Sequence, residues 1–126
     1  MKYERKFYRC AHCGNIISYV LDVGVPIVCC GEKMQALVPG AIDAAQEKHV
    51  PVAERDGCSL TVRVGSVPHP MLPEHHIAWI VVAEADRTTR VTLTPGAPAE
   101  AVFCVGEDPT TVYEYCNLHG LWVADL

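Results

Sequence analysis

Near the C-terminus, Tyr115-Cys116-Asn117-Leu118-His119-Gly120 sets a thiol and an imidazole three residues apart, where a β-patterned run breaks at a glycine. A Cys-x2-His pair at a strand end can clasp one metal ion from a tight loop. Two residues rarely complete a metal site, and further ligands are on offer upstream in His49, His69, His75 and His76. Each lies in a loop-like segment marked by proline, Glu47-Lys48-His49-Val50-Pro51 or His69-Pro70-Met71-Leu72-Pro73-Glu74-His75-His76. Stiff loops suit ligands that must wait in position. If a strand has begun by residue 75, adjacent side chains point to opposite sides, so only one of His75 and His76 faces the ion. Four imidazoles and one thiolate exceed the four ligands of structural zinc. They suit a six-coordinate ion with one position open, which points to iron. A blue-copper site also joins Cys and His on a β-sandwich, but it wants a weak axial Met beyond the pair. No methionine follows Met71, so copper is disfavoured.

A second set of ligands stands near the N-terminus. Cys10-Ala11-His12-Cys13-Gly14 and Cys29-Cys30-Gly31 place four thiols within residues 7–37. Four thiolates suit a tetrahedral site, and a segment this short needs such a staple to fold. The adjacent pair Cys29 and Cys30 must splay to reach one ion. Zinc and iron both remain open on spacing, and His12 reads as an exposed loop residue rather than a ligand.

The elements that position these residues read as mainly β. The 126 residues, half of them hydrophobic, allow one ordinary domain plus a tiny one. Val38-Pro39-Gly40 marks the boundary, giving a metal-binding domain over 1–38 and a larger one over 39–126. Residues 1–37 carry five Lys/Arg against three Asp/Glu, and residues 38–126 five against twelve. No basic stripe accompanies aromatic platforms, so nucleic acid is not an expected partner. No apolar run is long enough for a membrane span, which needs about 20 residues. The charged start Met1-Lys2-Tyr3-Glu4-Arg5-Lys6 carries no signal-peptide pattern, and the cytoplasm is the expected compartment. There, clustered cysteines are more often metal ligands than disulfides.

Strands are expected over 16–20, 60–64, 77–83, 90–94, 99–105, 111–116 and 121–124, with turn signals spaced as in an antiparallel β-sandwich. One helical turn is expected over 41–46, and Glu47-Lys48-His49 reads as a solvated loop. Cys104, in Val102-Phe103-Cys104-Val105, reads as a buried small hydrophobe. Cys58, after Asp56-Gly57, reads as an exposed thiol.

Together these pieces resemble the desulfoferrodoxins, two-centre superoxide reductases, over nearly the whole chain. The resemblance is carried by Tyr8-Arg9-Cys10-Ala11-His12-Cys13-Gly14-Asn15-Ile16, Cys29-Cys30-Gly31-Glu32, Glu47-Lys48-His49-Val50-Pro51, His69-Pro70-Met71, Glu74-His75 and Tyr115-Cys116-Asn117-Leu118-His119-Gly120. It implies a desulforedoxin-like domain holding ferric iron through Cys10, Cys13, Cys29 and Cys30, followed by an immunoglobulin-like sandwich. That sandwich would hold iron through His49, His69, His75 and His119 equatorially, with Cys116 axial. The implied reaction is one-electron reduction of superoxide, with two protons, to hydrogen peroxide. Lys48 is then expected to draw in the anion against an acidic field, and Glu47 to cap the open position in the ferric resting state. The resemblance also implies a homodimer and a rubredoxin-like electron donor. Two other classes stay open: an iron electron carrier without turnover, and a zinc-binding structural module.

Overall fold

A computed structural model describes residues 2–126. Its contacts divide the chain into two units, Arg5–Val38, and Pro39–Leu126 joined by residues 2–4.

In the small unit, β1 (Tyr8–Arg9) pairs antiparallel with β2 (Ile16–Ile17) and with β5 (Gln35–Ala36), while β3 (Val28–Cys29) pairs with β4 (Glu32–Lys33). The strand expected over 16–20 stops after two residues. β1 is itself only two residues long, so the chain beyond Ile17 finds no further partner and turns instead. Asp22 Oδ1 accepts from Gly24 N–H there at 2.8 Å. Phe7 and Cys10 are the buried hydrophobic residues of this unit, too little core to hold it without a metal.

The larger unit is an antiparallel sandwich of the immunoglobulin-like kind. After the single turn α1 (Gln46–His49) come β6 (Pro51–Asp56), β7 (Ser59–Val64), β8 (Ile77–Ala83), β9 (Thr88–Thr92), β10 (Glu100–Cys104), β11 (Thr111–Cys116) and β12 (Gly120–Asp125). One sheet has the order β10-β7-β6 and the other β12-β11-β8-β9. Alternation aims Leu60, Val62 and Val64 of β7, Phe103 of β10, Ile80 and Val82 of β8 and Val112 of β11 into one core. Residues 2–4 belong to this unit: Lys2 N–H donates to Asp125 Oδ1, Tyr3 N–H to Thr111 Oγ1, and the Tyr113 hydroxyl to Tyr3 O.

Several expectations are corrected. The helical turn lies at Gln46–His49, not over 41–46, so Glu47, Lys48 and His49 are helical rather than loop. Val50 N–H donates to Gln46 O at 2.9 Å, and Pro51 ends the turn. β6 was not anticipated; Pro51 and the charges of Glu54, Arg55 and Asp56 hide a strand that buries only one end. β9 starts two residues earlier than expected because Glu84 N–H bonds Arg87 O, closing the hairpin just before Thr88. Cys104 is exposed, not buried: Phe103 and Val105 take the inward positions and leave it outside.

Candidate metal centres

The larger unit gathers five ligand atoms at one end of the sandwich. His49, His69, His75, Cys116 and His119 bring theirs within 4.8 Å of one another. Cys116 is placed by β11, and the register between β11 and β8 shifts at Tyr115/Cys116 so that Cys116 faces Ile77. A bulge of this kind re-aims a side chain at a sheet end. The turn to β12 carries His119, and Trp122 Nε1–H holds it by donating to His119 O at 3.0 Å. His49 is brought in by α1, whose Glu47 carbonyl accepts from Val67 N–H at 2.9 Å in the loop leading to His69. That docking passes over Gly65, where an added Cβ would meet Glu47 O at 2.6 Å.

Each histidine is oriented by what its other edge touches. His49 Nδ1 donates to Ala45 O and His69 Nδ1 to Pro70 O, both at 2.7 Å. Carbonyl oxygens only accept, so each neutral ring must carry its lone pair on Nε2. Burial depresses the pKa of His49 and His75 and brings His69 down to about 4, which keeps the rings neutral. The ring of His49 also stacks on Trp122, with centroids 5.0 Å apart.

The two Nε2 lone pairs of His49 and His69 then face each other at 3.1 Å. His119 Nδ1 lies 3.1 Å from His49 Nε2, and Cys116 Sγ lies 3.5 Å from His69 Nε2. His75 Nε2 is buried and has no hydrogen-bond partner among the described residues. The His49 and His69 lone pairs repel one another unless a cation stands between them. For metal–nitrogen bonds of about 2.1 Å, neighbouring ligand nitrogens fall about 3.0 Å apart. The residues therefore fit a metal ion.

His75 and His76 differ in their neighbours. His76 Nδ1 donates to Leu72 O at 3.0 Å, and its backbone N–H donates to Asn117 Oδ1. His76 is thereby held apart from the cluster, and His75 faces it. Asn117, which sequence reasoning passed over, also donates from Nδ2 to Glu74 O, stapling the 116–119 turn to the histidine loop. Gly65, Trp122 and the Ala45 and Pro70 carbonyls were likewise missed, since backbone acceptors leave no mark in residue types. Glu114 is buried two residues before Cys116, and desolvation pushes its carboxyl pKa well up.

The small unit brings Cys10, Cys13, Cys29 and Cys30 together. Cys13 Sγ and Cys29 Sγ lie 3.6 Å apart, and Cys29 Sγ and Cys30 Sγ 4.0 Å. Tetrahedral thiolates at metal–sulfur distances of about 2.3 Å would sit about 3.8 Å apart, so this set also fits. The adjacent cysteines splay because Cys30 takes a left-handed conformation (φ 54°), followed by Gly31 at φ 77°. The Cys13 backbone amide lowers the Cys10 pKa to about 6, while hydrogen bonds with the Cys13 and Cys10 sulfurs push Cys30 up to about 12. His12 is paired with Glu32 outside the cluster.

Residues 41–125 match the family described as desulfoferrodoxin, and residues 3–37 its N-terminal domain. The chain belongs to the desulfoferrodoxin family. It is 43% identical over 125 residues to the desulfoferrodoxin of Nitratidesulfovibrio vulgaris, covering 99% of each. The superoxide reductase of Treponema pallidum matches with a TM-score of 0.78 and 35% identity over 96% of this chain and 98% of that one. The one-iron superoxide reductase of Giardia intestinalis matches 64% of this chain and 97% of its own, at 30% identity and a TM-score of 0.56. Like other desulfoferrodoxins, the chain has two iron centres, the four-cysteine set and the four-histidine, one-cysteine set.

Proposed function

We propose that the chain reduces superoxide to hydrogen peroxide, taking up one electron and two protons, at the four-histidine, one-cysteine centre. The observation that carries this is the cluster of four imidazoles and one thiol, with the His49 and His69 lone pairs 3.1 Å apart. When bound, iron supplies the electron and a position for the anion. His49, His69, His75, His119 and Cys116 are the ligands we assign to it, and Cys10, Cys13, Cys29 and Cys30 those of the second iron. The proposed division is a desulforedoxin-like domain over 1–38 and a catalytic sandwich over 39–126.

Lys48 and Glu47 are assigned the handling of the anion. Both are exposed on α1, beside His49. Burial is the main cause of the lowered pKa of His49 and of His75, and the positive charge of Lys48 adds a smaller share. In a unit otherwise rich in carboxylates, this cation draws superoxide in. With ferric iron bound, Glu47 would close the substrate position. The expected result for Lys48→Ala is roughly tenfold slower superoxide capture with a flattened salt dependence. An unchanged second-order rate at low ionic strength would remove the role.

The finer partners are part of the same proposal. Val20, Leu21, Val23 and Val25 stand exposed on the small unit, and a second copy of the chain is assigned to cover them. The exposed Cys13 and Cys30 offer an entry for electrons from a rubredoxin-like donor. No helix among the described residues is long and apolar enough to cross a membrane. The seven free thiols fit the reducing cytoplasm. The deciding experiment measures metal content and peroxide yield on freshly purified protein. Two irons per chain and one peroxide for each superoxide consumed are expected. Half that yield, with dioxygen released, means dismutation, and zinc alone means a structural module.

A further inference from the structure

Two cysteines outside both metal centres meet at the other end of the larger sandwich. Cys58 lies in the turn between β6 and β7, and Cys104 ends β10. The register sets Cys104 opposite Ser59, and Val105 N–H donates to Cys58 O at 2.7 Å. Cys58 is thus offset from Cys104 by one position across paired strands. Strict alternation would send a residue opposite Val105 into the core with it. Val105 is buried but Cys58 is exposed, because Cys58 belongs to the turn and is free of the pleat.

The neighbouring Cys58 thiol, by polar interaction first and by its charge second, raises the Cys104 pKa. With strands about 4.8 Å apart and a rise of about 3.3 Å per residue, a one-position offset separates Cα atoms by about 6 Å. That lies inside the range over which a disulfide closes without backbone movement.

We propose that Cys58 and Cys104 are a peroxide-oxidisable pair, a modification site that closes to an intrachain disulfide. The oxidant is hydrogen peroxide, and its origin in the enzyme's own product rests on the reaction proposed above. The Cys58 sulfur attacks one peroxide oxygen, the O–O bond breaks, and water leaves while Cys58 becomes a sulfenic acid. The Cys104 sulfur then attacks the Cys58 sulfur, the S–O bond breaks, the S–S bond forms, and a second water leaves. Two electrons pass from the thiols to peroxide, and both thiol protons end in water. Cys104 serves as the resolving thiol in the second step.

The pair lies a strand's length from the metal centre, since β7 runs from beside Cys58 to Val64, whose carbonyl accepts from His69 N–H. Six residues of strand span about 20 Å. Oxidation at one end therefore leaves the ligands at the other in place.

The test treats the iron-loaded full chain with stoichiometric added peroxide, blocks free thiols with iodoacetamide, and maps peptides by mass. Adding peroxide directly separates failure of this pair from failure of superoxide reduction. The expected product joins the peptides containing Cys58 and Cys104 with loss of two hydrogens, and dithiothreitol reverses it. Cys58→Ser and Cys104→Ser each abolish the link while superoxide reduction stays at the wild-type rate. Both thiols alkylated after peroxide, separate sulfinic acids on the two residues, or disulfides joining two chains each overturn the proposal.

Discussion

At the scale of single residues, the centre is governed by which ring nitrogen is free. Ala45 O and Pro70 O each accept a hydrogen bond from Nδ1–H, leaving two Nε2 lone pairs 3.1 Å apart. Outer partners of this sort fix the tautomer of metal-binding histidines. The same reasoning separates His75 from His76, which adjacency alone could not. His75→Ala is expected to lower iron from two atoms per chain to one, measured by elemental analysis. His76→Ala should keep both, because its ring bonds Leu72 O and not the cluster. Equal iron loss in the two variants would reverse the assignment.

At the scale of elements, the site depends on a short helix docked against a loop. α1 is one turn and could not persist alone. It is held by Val67 N–H and the Ser66 hydroxyl, both donating to Glu47 O. Gly65 permits that approach, since a Cβ there would meet two backbone carbonyls, Glu47 O at 2.6 Å and Val50 O at 3.0 Å. Backbone cannot swing aside as a side chain can. Gly65→Ala is therefore expected to cost about 1–3 kcal/mol in stability, as overpacking does. It should also displace His49 and Lys48 together, weakening iron retention in the sandwich while leaving the four-cysteine centre filled. Chemical unfolding and iron analysis on the same sample check both parts. Wild-type stability with full iron would show that the loop accommodates a methyl group.

At the scale of the whole molecule, the two units rest on different sources of stability. The sandwich has a contiguous core from β7, β8, β10 and β11. The small unit buries little and relies on its thiolate cluster. Cys10→Ser is accordingly expected to empty and unfold residues 5–38 while the sandwich keeps its iron. In that variant, superoxide reduction with a chemical reductant persists, and hydrogen exchange rises only across the small unit. Exchange rising equally across both units would mean that the sandwich depends on the small unit for its fold.

How much of this was legible in the chain differs from feature to feature. Ligand chemistry was, because metal binding demands particular residue types: Cys10, Cys13, Cys29, Cys30, Cys116 and His119 stand in spacings with few other uses. The strands 77–83 and 111–116 were legible too, since long apolar or β-branched runs between turns have one common reading. β6 was not, because half of it faces solvent and its charges match those of a loop. The exposure of Cys104 was misread because a thiol's burial follows strand phase, which its type does not report. What the sequence by itself determined is the inventory of donors and the β architecture that carries them, both encoded in local residue type and period. Tertiary structure alone decided which histidine turns inward, which carbonyls orient the rings, and that Cys58 meets Cys104. Those depend on contacts between residues distant along the chain, and distance in sequence leaves no local trace.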